Sequence, residues 1–337
     1  MNEKQDIFDI VKPKTKLFGD KASRITTNEM NLVYGEIKSI FNNRIRRLNI
    51  TKPLPAKLDH GDIDIVVQNE ENVNIQEYIH NLLNDYIIEI VNNGPILHVL
   101  FKSNYIQKNV HVDFITASQE EYDPTLMYLA YNDFSGILGV IARKLNYNYG
   151  STGIYKIYKD KYNQNHYILL TRNLYDGLGM LGYGNVLSKY DDIKTIDDVV
   201  AFLSASPLFD SGYLTSQDLN RGDRKRMRAG RATAREIKEK LVSLNKKRDI
   251  TTSDDYYLKT FYSYIWVEYQ KEVKKIDDYV HIKPKYNGGW ILSKFPNLKP
   301  GPVIGDIQKM LKNSYGDDLD KYEENVIFDK IKLHLNM

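Results

Sequence analysis

The run DIDIVV, Asp62 to Val67, restricts this chain more than any other stretch, because it puts two acids inside an apolar segment. As a strand it has a two-residue period, so Ile63 and Ile65 fall on one face and Asp62 and Asp64 on the other. Two like charges then stand side by side. Opposite charges on neighbouring segments would relieve them, and a solvent-facing edge would make relief unnecessary. A divalent cation such as Mg2+ or Mn2+, which favours hard oxygen ligands, would bind them. Asp-x-Asp alone does not choose among the three.

The flanking segments predict the rest of a mixed unit. Thr26 to Glu29 fits a capping box, and Met30, Val33, Ile37, Ile40 and Phe41 recur at helical spacing, predicting a helix that ends near Arg47. A proline-bearing loop, LNITKPLPAKLDH, leads into the DIDIVV strand. A second amphipathic helix follows, its apolar face formed by Ile75, Tyr78, Ile79, Leu82, Leu83 and Tyr86, with Asn-Asn-Gly-Pro at 92–95 as its stop. Two strand-like runs, ILHVLFKS and NVHVDFITA, then flank NYIQK as an antiparallel hairpin. Val110, Val112 and Phe114 share one face of the second run, and His111 and Asp113 the other. A third acid therefore stands on a strand.

Beyond Ser118 the texture is mainly helical. The pattern predicts a long helix from about Pro124 to Leu145, strands at GIYKIYK and HYILLT, a turn at GSTG (150–153) and a helix over Ile196–Leu203. A further helix is expected from Asp254 to Val273, with Tyr257, Phe261, Tyr264, Ile265 and Tyr269 in the core. We expect an N-terminal extension over 1–24, one domain over 25–120 and a mainly helical domain over 121–337.

Composition narrows the chemistry. A chain of 337 residues, 42% of them hydrophobic, can bury a substantial core in two or three domains. Having no cysteine, it has no disulfide, thiol nucleophile or cysteine-held zinc. The seven histidines fall into no hydrolase triad or zinc motif. The net charge of +3 is too small to argue for nucleic acid, so any basic surface must be local. No run approaches the roughly 18 apolar residues that span a bilayer, and MNEKQDIF lacks a signal pattern. The expectation is an intracellular, cytoplasmic protein without a membrane partner.

An Asp-x-Asp strand, a helix, then a hairpin carrying one more acid would let three carboxylates converge at one end of a sheet, which suits two metal ions. In this order HGDIDIVV and HVDFITA resemble the DNA polymerase beta-like nucleotidyltransferase superfamily, which includes family X polymerases, poly(A) polymerases, CCA-adding enzymes and transferases acting on small molecules or proteins. The resemblance covers about residues 25–120. It implies an α+β fold, with a small mixed-sheet palm backed by two helices and a mainly helical domain after it. It also implies two Mg2+ (or Mn2+) ions held by Asp62 and Asp64, with Asp113 assisting the catalytic one and helping to deprotonate the acceptor hydroxyl.

Where the family carries Gly-Ser, about ten residues before the first Asp, for the triphosphate, this chain reads Thr51-Lys52. Lys52 can meet a phosphate as a point charge and Thr51 as a hydroxyl donor. With His60 and Gly61 they form the expected nucleotide-binding set. The basic run LNRGDRKRMRAGRATAREIKEK adds an expected nucleic-acid stripe of Arg221, Arg224, Arg228, Arg231 and Arg235. The alternative for that run is a solvated helix. NGGWILSKFPNLKPGPVIGDIQKML resembles the tail of CCA-adding and bacterial poly(A) polymerases, which favours an RNA end as acceptor.

The expected activity is metal-dependent transfer of a nucleoside monophosphate from a nucleoside triphosphate to a 3′ hydroxyl, RNA favoured, with release of pyrophosphate. A family X-like DNA polymerase and a toxin-like enzyme modifying protein or tRNA are the alternatives within the class. Outside it stands a catalytically silent nucleic-acid-binding module, which the Thr51-Lys52 departure favours.

Overall fold

The computed structural model describes residues 17–42, 44–69, 74–160, 163–215, 219, 232–282 and 285–335. The fold is α+β: a mixed five-stranded sheet early in the chain, then mostly helices. One compact unit lies within Met1–Tyr158 and Tyr167–Tyr269, a second within Lys159–His166 and Gln270–Met337.

In the first unit β1 (Ile25–Thr26) runs directly into α1 (Thr27–Phe41). The capping box forms as read: the Thr26 hydroxyl accepts from the Glu29 N–H at 3.2 Å, and the Thr26 N–H donates to Glu29 Oε2 at 2.8 Å. The helix stops short of Arg47 because Asn42 turns left-handed, at φ 39°, and redirects the chain. Next come β2 (Leu48–Ile50), β3 (Asp59–His60), β4 (Ile63–Gln68), α2 (Ile75–Leu83), β5 (Ile87–Asn93), β6 (Ile96–Ser103) and β7 (Lys108–Ala117). The sheet order is β2-β4-β7-β6-β5, with β4 and β7 parallel and the other pairs antiparallel.

One face of this sheet is closed by a core. Ile63, Ile65 and Val67 of β4, Leu97, Val99 and Phe101 of β6, and Val110, Val112 and Phe114 of β7 pack with Met30, Val33, Ile37 and Phe41 of α1 and Ile75, Ile79 and Leu83 of α2. Burying each such side chain stabilises the fold by roughly 1.5–3 kcal/mol. Glu36 is buried among them and satisfied, accepting from Ser103 Oγ at 2.5 Å and the Asn104 N–H at 2.9 Å. It thereby ties α1 to the β6–β7 turn.

The second amphipathic helix is shorter than its pattern, ending at Leu83. IIEIVNN forms β5 because its β-branched residues complete the sheet, and Gly94, at φ 60°, turns β5 into β6 instead of ending a helix.

After the sheet come α3 (Tyr122–Leu129), α4 (Phe134–Lys144), β8 (Tyr147–Gly150), β9 (Gly153–Lys159), β10 (Asn165–Thr171), α5 (Leu174–Leu178), α6 (Ile196–Ala205), α7 (Ala232–Ser243), α8 (Tyr256–Phe261) and α9 (Ser263–Ile282). The strands and turn expected at GIYKIYK, HYILLT and GSTG form, as does the Ile196 helix. The long helix from Pro124 does not. It is cut between α3 and α4, where Tyr131 and Asn132 are left-handed, at φ 57° and 58°. The break is held by the loop after β2: the Tyr131 N–H donates to the Lys52 carbonyl at 2.7 Å, and Asn132 Oδ1 accepts from the Leu54 N–H at 2.9 Å. Similarly, the Asp254–Val273 helix divides at Tyr262. Of the five residues expected in the core, Ile265 and Tyr269 are buried and Tyr257 packs against it, whereas Phe261 and Tyr264 are each 64% exposed and do not belong to it.

The second unit contains α10 (Gly288–Lys294), α11 (Pro302–Tyr315) and α12 (Glu324–Leu335), packed around Tyr286, Ile291, Ile304, Ile307, Leu311, Ile327 and Ile331. Pro302 occupies the first position of α11, and Gly301 supplies the φ of 143° that precedes it.

Candidate active site

The polar residues of the sheet lie opposite its core. Since Ile63 and Ile65 face α1 and α2, strand alternation turns Asp64 the other way; Val112 and Phe114 do the same for His111 and Asp113, and Leu97 and Val99 for His98. Register then brings them together. Asp64 pairs with Asp113 across the parallel strands, and Asp113 pairs with His98 across the hairpin, so β4, β7 and β6 set Asp64, Asp113 and His98 in one row. Asp62 and His111, each two residues earlier on its segment, flank that row.

The electrostatics follow from this crowding. The Asp64 carboxyl is pushed up to about 7, first by burial, then by the like charges of Asp62 and Asp113, with His111 and Lys57 opposing. For His111 burial works against the charged form, but contact with Asp113 and the fields of Asp62 and Asp64 outweigh it and shift the ring upward. His98 Nδ1 is hydrogen-bonded to Asp113 Oδ1 at 2.7 Å. His111 Nε2 lies 2.6 Å from the same oxygen but is buried without a hydrogen bond of acceptable angle.

Two donor sets are thus available. Asp62 and Asp64 offer hard oxygens beside Asp113, and a cation there would offset the mutual repulsion of these acids, which suits Mg2+ or Mn2+. Tighter convergence occurs elsewhere: among the described residues, the group of three whose ligand atoms lie within 4.8 Å of one another is His98, His111 and Asp113. Asp62 and Asp64 neighbour this group without joining it.

The remaining expected residues are placed as follows. Thr51 is buried and its N–H donates to the Asp64 carbonyl at 2.9 Å, extending the β2–β4 pairing. Lys52 Nζ donates to the Asp191 carbonyl at 3.0 Å and lies 5.0 Å from the centre of the Tyr131 ring. It lines a cleft of about 530 Å³ with Asn49, Asp123, Arg172, Tyr175 and Asp191. His60 is buried against the first turn of α1, with Nε2 3.0 Å from Thr27 Oγ1; burial and then Lys57 hold its charged form down. A side chain at Gly61 would come within 3.1 Å of the Arg24 guanidinium, whose Nε grips Asp59 at 2.6 Å. Arg235 is exposed on α7, and Arg221, Arg224, Arg228 and Arg231 lie outside the described residues.

Two site residues escaped the sequence reading. His98 was legible in principle, because pairing ILHVLFKS with NVHVDFITA in the register seen here puts it opposite Asp113. Lys57, whose field reaches both Asp64 and His60, sits in an irregular loop where no periodicity could locate it.

No family model and no curated protein matches this chain. Among solved structures it is similar to two of Leishmania infantum polymerase beta, a ternary gap complex and a ternary P/T complex. Both are 13% identical over 41% of this chain, with a TM-score of 0.35. The chain spans 52% and 59% of their lengths. At that level of likeness the chemistry has to be read from the side chains themselves.

Proposed function

We propose that the chain is a nucleotidyltransferase, moving a nucleoside monophosphate from a nucleoside triphosphate to a 3′ hydroxyl, with RNA as the favoured acceptor. The observation that carries this reading is the in-register pairing of Asp64 with Asp113, with Asp62 adjoining, on the sheet face that α1 and α2 leave free. Divalent cations, when bound there, would neutralise the triphosphate and favour ionisation of the attacking hydroxyl. Asp62 and Asp64 would hold them. The acceptor oxygen forms a bond to the α-phosphorus, the bond to the bridging oxygen breaks, and pyrophosphate leaves. Asp113, oriented by His98, takes the hydroxyl proton. Lys52 and Arg172, both lining the cleft beside α3, provide positive charge for phosphate oxygens.

A second reading is favoured by one specific contact. Lys52 already donates to the Asp191 carbonyl, so a palm that binds nucleic acid without turning over nucleotide is also consistent with the site. Incubating the protein with each labelled triphosphate, Mg2+ or Mn2+, and single-stranded RNA, tRNA or gapped DNA separates the two. Extension of RNA supports the proposal, extension of gapped DNA alone replaces the acceptor, and RNA binding without extension of any acceptor selects the silent module.

A further inference from the structure

We infer that His98, His111 and Asp113 form a binding site for a transition-metal ion of the Zn2+ or Co2+ kind. The donor set is two imidazole nitrogens and one carboxylate oxygen, which suits these borderline ions and is poor for Mg2+. All three residues are on adjacent hydrogen-bonded strands, so their backbones are already fixed; the side chains are 14%, 16% and 14% exposed. The His111 ring is further held by the edge of Phe18, with centroids 4.9 Å apart.

Both imidazoles converge on Asp113 Oδ1, His98 Nδ1 at 2.7 Å and His111 Nε2 at 2.6 Å. His98 has its hydrogen bond to Oδ1, whereas the His111 Nε2 atom is buried and aimed at the same oxygen without one. Two imidazole nitrogens converging on one carboxylate oxygen make a three-ligand donor set. Tetrahedral coordination at roughly 2.0–2.2 Å sets ligand atoms about 3.5 Å apart. The 2.6 Å and 2.7 Å separations here therefore need to open by less than about 1 Å, within reach of small side-chain rotations. Three protein ligands leave one position for water or an anionic oxygen, as in catalytic zinc sites. For the part Asp113 plays in transfer this site rests on the proposed function; for binding of the ion it does not.

The test titrates full-length, metal-free protein with Co2+, followed by visible absorption, and then with Zn2+ in competition. The expected result is one saturable Co2+ site, displaced by Zn2+ and not by excess Mg2+. His98→Gln and His111→Gln should each lower Zn2+ affinity at least about tenfold, with unchanged circular dichroism. Asp113→Asn, nearly isosteric, should give the same loss and substitutes for either histidine variant that fails to fold. Absence of saturable binding, or binding indifferent to all three substitutions, overturns the site. Transfer in Mg2+ without histidine-dependent Zn2+ binding would sink this inference and leave the proposed function. Histidine-dependent binding without transfer to any acceptor would do the reverse.

Discussion

Asp64 and Asp113 are direct cross-strand partners on the parallel strands β4 and β7. Strands in register hold such pairs about 4.8 Å apart at the backbone, so two carboxylates are forced together with Asp62 adjoining. On the proposed reading, Asp64→Asn removes a shared ligand charge at nearly constant shape, and transfer should fall at least about a hundredfold. Steady-state rates at saturating triphosphate check this. Turnover equal to the parent would remove Asp64 from the chemistry.

The same crowding has a cost in stability, measurable without any substrate. Asp64 is shifted from 3.8 to about 7, so over that interval the folded chain holds a proton that the unfolded chain has released. Its contribution is present below pH 4 and lost as pH rises through about 7. In EDTA, Asp64→Asn should therefore raise the thermal midpoint at pH 8 by about 3 °C or more and change it little near pH 4. A midpoint that does not respond to pH differently from the parent would contradict the shift.

Lys52 and Lys57 should separate in function. Lys52→Ala is expected to raise the triphosphate concentration needed for half-maximal rate several-fold, leaving acceptor binding unchanged, because Lys52 lines the cleft. Lys57→Ala takes a favourable charge from Asp64 and should instead change the metal requirement. Titrating nucleotide, acceptor and Mg2+ against each variant reads all three effects.

Replacing Arg224, Arg228 and Arg231 together with glutamine should weaken binding to long single-stranded RNA and reduce its salt slope by up to about three. Transfer to a short acceptor at saturation should survive. Equal slopes for parent and variant would leave the run as a solvated face.

Glu36 supports the fold rather than the chemistry. Glu36→Ala would leave Ser103 Oγ and the Asn104 N–H without their acceptor, costing about 1–3 kcal/mol in urea unfolding. A smaller loss would mean that water replaces the carboxylate.

What could be read from the chain and what could not divides along physical lines. The two-residue period of DIDIVV and NVHVDFITA was enough to put Asp64 and Asp113 on polar faces, and the Thr26 capping box marked the start of α1. Failures arose where distant backbone intervenes. Leu126, Leu129, Phe134, Ile137 and Ile141 continue a helical pattern through the α3–α4 break, where hydrogen bonds with Lys52 and Leu54, about eighty residues away, hold the turn at Tyr131 and Asn132. IIEIVNN was absorbed into a helix because a short apolar run is ambiguous until a partner strand exists. Lys57 was missed for the plainest reason: a loop residue's direction is set by its surroundings.

The parallel register of β4 and β7 has a kinetic consequence. Parallel strands cannot be joined by a tight turn, so Asp64 meets Asp113 only after α2, β5 and β6 have been threaded between them, closing a loop of about fifty residues. Local pieces, such as the β6–β7 hairpin and α1, can form early and cheaply. The acidic face is therefore assembled by the slow, non-local step of folding, and until the sheet is complete the chain carries Asp64 and Asp113 apart.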